Sequence, residues 1–369
     1  MKIKTYFYFL LVLTVSCNEK ANDNNTSPLE QSWSTQYSGN PRTLSITLNA
    51  PTKITDEYVG ISVDGKLSLV DVSNGKFKWS KTPENGFEIK TRNMLTNDNF
   101  IYLKFDDTKK VTAFNISNGG IVWNKEFDLV FDDFVNDYLL NGTLYLTNDE
   151  PFVSIIDDSG NFIDTLQIDT YPARSISVSG NQVFITQAWQ KTGESNASGR
   201  ILSYSTTTEE LLWSYESNEG GFYFSPLIES NGILVSGTTL GTGEIVGLNF
   251  NGDVVWSKKG IQAWSLANSD TSLFINDGES IIALDIKNGQ ELWRTNFNVG
   301  FGQDNVFYFE NRIYHSHGSG LFMLDANTGE IIFTIQASPD GSPFGNLTVI
   351  DGKVIIQSNS YIYGYDITP

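Results

Sequence analysis

Cys17 is the only cysteine in the chain, which excludes internal disulfides, vicinal-cysteine redox chemistry and haem attachment. Histidine is almost as scarce. His315 and His317 are the only two, and they alternate in IYHSHGS, so both face one side of a strand. With no cysteine beside them, a packing or surface role is expected and no metal site. Basic charge is thin as well: 24 Lys and Arg stand against 43 Asp and Glu, a formal net charge of -19, and no basic cluster stands out. Counterion release needs basic surface, so nucleic acid is not an expected partner. Direct adhesion to anionic head groups is excluded on the same ground. There is no EF-hand loop, phosphate loop, dinucleotide fingerprint or Gly-x-Ser-x-Gly. Asp106-Asp107, Asp132-Asp133 and Asp157-Asp158 lie in or near expected turns and read as solvated turn residues.

Long apolar runs are missing too, except at the start. MKIK is a basic leader and TYFYFLLVLTVS is apolar but too short to span a bilayer. TVSC, ending at Cys17, resembles a bacterial lipobox, with Thr14 where Leu is commoner. That resemblance implies a signal peptide over 1–16 and lipidation at Cys17. Residues 17–28 are polar and read as a flexible tether. Asn18 rather than Asp follows the cysteine, which by resemblance to sorting rules suits the outer membrane.

Helix-period stretches are few, and a repeat fills the rest. LVDVSNGKFKW (69–79), AFNISNGGIVW (113–123), ALDIKNGQELW (283–293) and MLDANTGEIIF (323–333) are variants of one phrase. Its Gly recurs at 75, 119, 160, 252, 289 and 329. Its last position is Trp33, Trp79, Trp123, Asp164, Trp213, Trp256, Trp293 and Phe333, in steps of 37 to 49 residues. That period is the length of a four-stranded propeller blade. The Gly supplies the positive φ of a tight turn. The large flat side chain four residues later locks an outer strand against the next unit, so Trp33, Trp79, Trp123, Trp213, Trp256, Trp293 and Phe333 are expected to dock blades rather than bind ligand.

The phrase resembles the docking motif of the PQQ-like β-propeller repeat, A-x-D-x-x-T-G-x-x-x-W, over residues 29–369. The implied fold is all-β, a single propeller. Seven complete strand sets precede GKVIIQSNSYIYGYDI, which lacks an outer strand, and QSWSTQY is an outer strand with nothing before it. Pairing the two closes an eight-bladed ring and removes a sheet edge. Seven blades is the alternative.

Quinoprotein dehydrogenases share this ring. By resemblance they add a calcium site, a catalytic Asp, often a vicinal disulfide, and long insertions. None of these has a counterpart here, so no catalysis and no cofactor are expected. Candidate contact residues come instead from the segments that enter each inner strand. Each carries an aromatic: Phe87, Phe131 or Phe134, Tyr171, Phe222 to Phe224, Trp264, Phe301 and Phe344. They either ring the mouth of the channel or pack between blades. Of these, Tyr223, Trp264, Phe301 and Phe344 are candidates for a binding surface, with Arg174 as polar neighbour. QAWQKTGESNASGR adds Trp189 in the longest insertion, beside Lys191 and Arg200. Size and lipid anchor resemble those PQQ-like lipoproteins that support β-barrel assembly in the outer membrane. The resemblance implies a monomeric envelope scaffold that binds a protein and touches the membrane only through its lipid. The alternatives are glycan or other ligand binding at the mouth, or a small quinoprotein enzyme.

Overall fold

The computed structural model of the chain describes residues 27–37, 51–63, 66–82, 94–104, 109–127, 137–190, 196–223, 227–297, 305–317, 320–342, 344–358 and 360–368. Cys17, the signal segment and most of the tether fall outside them, as do Phe87, Phe131, Phe134, Phe224 and Phe301.

Blade 6 shows why these residues form strands. Its four strands are Ser265–Asn268, Ser272–Asn276, Ser280–Asp285 and Glu291–Asn296, paired in that order. The middle strands SLFIN and SIIALD are buried almost end to end. A sheet covered on both faces needs no polar alternation. The outer strand ELWRTN is buried only at its centre, Trp293, and exposed on either side. Between the third and fourth strands the chain reverses through a turn closed by Gly289 N–H donating to the Asp285 carbonyl at 2.8 Å. The Asp285 carboxylate caps the same turn, accepting from the N–H of Lys287 at 2.8 Å and of Asn288 at 3.2 Å. The motif's Asp is therefore a turn-capping residue.

Eight such four-stranded antiparallel sheets make up the described residues, and no helix interrupts them. Blades 1 to 7 span 52–81, 94–126, 138–167, 173–217, 228–259, 265–296 and 306–335. Blade 8 joins Leu347–Ile350, Lys353–Gln357 and Tyr361–Ile367 to the first strand, Leu29–Gln36. The closing pair runs antiparallel from Leu29 opposite Ile367 to Gln36 opposite Tyr361. Thr368 seals it, its N–H donating to the Pro28 carbonyl at 3.1 Å and its hydroxyl to the Ser27 carbonyl at 2.8 Å. The count is eight, not seven.

First strands touch first strands of neighbouring blades, which places them innermost. The apolar core is not one body. It is divided into eight clusters, each shared by two adjacent blades, including blades 8 and 1. Each blade is thus stable only between two others, as expected for a repeat unit that cannot bury both faces alone.

Candidate functional site

The indoles sit in the seams. Trp293 of blade 6 lies against Gly329 of blade 7, where an added Cβ would stand 2.4 Å from the ring. Its Nε1–H donates to the Ala326 carbonyl at 2.9 Å. Trp33, Trp79, Trp123, Trp213 and Trp256 repeat the arrangement on Gly75, Gly119, Gly160, Gly252 and Gly289. Their Nε1–H groups reach a carbonyl of the next blade at 2.8 or 2.9 Å. All six glycines have φ between 67° and 85°. A ring pressed on a glycine and spent on a carbonyl is occupied by the fold. Phe333 differs: blade 8 offers it no such turn, and it is half-buried in the cluster shared by blades 7 and 8.

Antiparallel strands put the blade-to-blade connections and the loops between second and third strands at one end of the ring. Residues of blade 4 gather there. Tyr171, in the connection entering the blade, stacks on Trp189 with centroids 4.6 Å apart and planes 3° from parallel. Arg200 stands over both rings, 5.7 Å and 5.5 Å from their centroids. It also donates to the Asp169 carboxylate at 3.0 Å, to the Asp169 carbonyl at 2.7 Å and to the Gln187 side chain at 2.5 Å. Gln187 in turn donates to the Asp169 carbonyl at 3.0 Å and to the Tyr171 carbonyl. The Asp169 carboxyl is held below the usual carboxylate range. The Thr170 hydroxyl is the main cause, and burial works against it, while Arg200 adds to the lowering.

Arg174 and Tyr223 continue this end towards blade 5, the guanidinium 5.5 Å from the ring centroid. Burial lowers the Arg174 pKa, and the negative charge of an ionised Tyr223 would oppose that. Burial raises the Tyr223 phenol, and Arg174 opposes that in turn. Trp264, entering blade 6, is half-buried beside Gly278. The remaining candidates divide. Phe344 is 1% exposed and packs edge-on against Tyr363, so it serves the core rather than a surface. Phe222 is buried likewise. Trp189 is only 8% exposed because Tyr171 and Arg200 cover it. His315 is buried against Phe297, and its Nδ1 faces the Asn305 carbonyl at 3.2 Å.

Two polar groups at this end escaped notice in the sequence. Lys104 and Asp137 form an ion pair at 2.9 Å between blades 2 and 3, each side chain 1% exposed. Thr147 completes it, accepting from the ammonium at 3.2 Å and donating to Asp137 at 2.7 Å. A lysine closing the apolar strand FIYLK was the available signal. Glu244, 3% exposed, accepts from Tyr215 at 2.9 Å, Ser217 at 2.5 Å and Ser257, which joins blade 4 to blade 5. The first is an ion pair and the second a carboxylate held by three hydroxyls, and both bridge seams. Among the described residues no three His, Cys, Asp or Glu side chains converge as metal ligands, and no helix is long and apolar enough to cross a membrane.

Residues 277–368 match a family model described as outer membrane protein assembly factor BamB. No curated protein matches the chain. Among solved structures, BamB from Moraxella catarrhalis superposes with a TM-score of 0.65 at 14% identity, covering 92% of this chain and 97% of that one. Sqt1 from Saccharomyces cerevisiae superposes with a TM-score of 0.67 at 12% identity, covering 92% and 99%. At such identities the likeness is one of fold. With the repeated turn, the indole docking and the eight sheets, it shows an eight-bladed β-propeller that resembles BamB and the PQQ-like propellers in fold.

Proposed function

We propose that this protein is a non-catalytic scaffold of the cell envelope, anchored through lipidated Cys17, that holds a protein partner by the end of the ring where the blades connect. The observation that carries the reading is the Tyr171–Trp189–Arg200 stack with Arg174 and Tyr223 beside it. Rigid aromatics braced by arginine are the residues that dominate protein–protein contacts, because they bury much area for little lost rotamer freedom. Gln187 and Asp169 fix the arginine before any partner arrives, which lowers the ordering cost of binding. The match of residues 277–368 to the BamB model supports a role in outer-membrane protein assembly.

The test is site-specific photo-crosslinking in cells from Tyr171 and Tyr223, with Phe162 on the outer rim as control. Capture of a barrel-assembly component from the first two positions and not from the third supports the proposal. Capture only from the rim, or none from a lipidated and folded protein, overturns it.

A further inference from the structure

At the opposite end of the ring, between blades 6 and 7, lies a cleft of about 390 Å³. Its volume is within the range of sites that hold small ligands. Three turns bound it: the first turn of blade 6 with Asp270 and Thr271, the first turn of blade 7 with Asn311, and the Gly turn of blade 7 with Asn327. Tyr308 lines it from the side, stacked on the buried Phe274 with centroids 5.4 Å apart and planes 14° from parallel.

Of the polar lining, Asn268 and Ser269 are committed to the first turn of blade 6, and five other groups are not. Among the described residues, the side chains of Asp270, Thr271, Asn311 and Asn327 and the hydroxyl of Tyr308 make no hydrogen bond, although the backbones that carry them are tied down. The Ala326 N–H donates to the Asn311 carbonyl at 3.0 Å, joining the two turns of blade 7. The Trp293 Nε1–H holds the Ala326 carbonyl at 2.9 Å, one residue before Asn327. The Asn231 side chain of blade 5 donates to the Asp270 carbonyl. Asn311 keeps φ at 62°, a left-handed conformation that asparagine tolerates better than most residues. These contacts hold the turns in place and leave the side chains free.

The chemistry of the lining narrows the occupant. Two amides each offer a donor and an acceptor, a carboxylate offers acceptors only, and two hydroxyls offer both. No lysine, arginine or histidine is among the described lining residues. An anion would meet Asp270 with nothing to offset it. An apolar molecule would leave the amides and the carboxylate desolvated and unpaired. A ligand dense in neighbouring hydroxyls, uncharged, with C–H surface for the tyrosine, satisfies all of these groups. We propose that this cleft binds a neutral saccharide residue.

The full chain, purified in a detergent without a sugar head group, is applied to an array of neutral and anionic oligosaccharides. Retained neutral glycans are then titrated against variants. Asn311→Gly with Asn327→Ala removes both amides while keeping a residue suited to the left-handed turn, and affinity is expected to fall at least about tenfold. Thr271→Val is the milder companion, expected to fall a few-fold. Phe162→Ala, exposed on the outer strand of blade 3, leaves binding unchanged, and melting temperatures confirm that each variant is folded. Retention of no neutral glycan, retention of anionic ones alone, or equal binding by wild type and the double amide variant overturns the proposal.

Discussion

Trp293 and Asp164 occupy the same place, the third residue of an outer strand, and the seams they face are built differently. Between blades 6 and 7 an indole lies on Gly329. Between blades 3 and 4 there is no indole, and the facing turn carries Glu209 where the other turns have glycine. Glu209 still has φ at 56°, and its N–H still donates to the Ser205 carbonyl at 3.0 Å. The turn shape therefore survives without glycine. What demands glycine elsewhere is the indole, which leaves no room for a Cβ. Where the seam has no tryptophan its partner position need not be glycine, and the two differences from the other seams go together. The seam is filled instead by Tyr204 and Tyr145, with the Arg200–Asp169 clamp at the connecting end.

Removing an indole is the strongest way to break this contrast. Trp293→Ala is expected to cost about 3–5 kcal/mol, and Asp164→Ala to stay within about 0.5 kcal/mol, in urea titrations of the two variants. Equal losses would mean that the indole contributes no more than an ordinary outer-strand residue. A smaller effect separates space from backbone shape. In Gly289→Ala the new Cβ would lie 2.6 Å from the Trp256 ring, at φ 69°, and overpacking should cost about 1–3 kcal/mol. Glu209→Gly meets no ring and relieves a left-handed residue, so thermal melts should show no loss, or a gain below about 1 kcal/mol. The weakest effect is one of pH. The indole contacts hold no titrating group, whereas the clamp holds Asp169. A carboxyl kept below its ordinary value of 3.8 contributes stability above that pH, and the contribution fades as pH falls through the lower folded value. Side-chain NMR of Arg200 between pH 6 and 3 should therefore show the clamp intact down to about pH 4 and loosening below it.

The architecture was legible because most copies of the repeat state their own turn, cap and docking residue within eleven positions. ALDIKNGQELW names Asp285 as cap, Gly289 as the seat for Trp256 and Trp293 as the indole for the next seat, and the missing outer strand at one terminus matched the spare one at the other. Exposure was not legible. Trp189 reads as a loop aromatic open to solvent, yet Tyr171, from the segment before the blade, covers it. Phe344 and Tyr223 look alike as aromatics entering an inner strand, and one is sealed in the core while the other is half-buried beside Arg174. Whether such a ring faces inward depends on its neighbours across a seam, which no local pattern encodes. The cleft between blades 6 and 7 was invisible for the same reason. Its groups come from three turns that the ring assembles, and each turn alone is an ordinary polar reversal.

The pairing of Leu29–Gln36 with Tyr361–Ile367 also sets a schedule for biosynthesis. A ribosome makes the first of these strands before blades 1 to 7 and the second after them. At ordinary elongation rates roughly 20–60 s separate them. Throughout that interval the opening strand, Trp33 included, has no partner strand to pair with. The nascent protein must either be shielded by a holding factor or rely on the polar residues of EQSWSTQ to keep that strand from joining another chain.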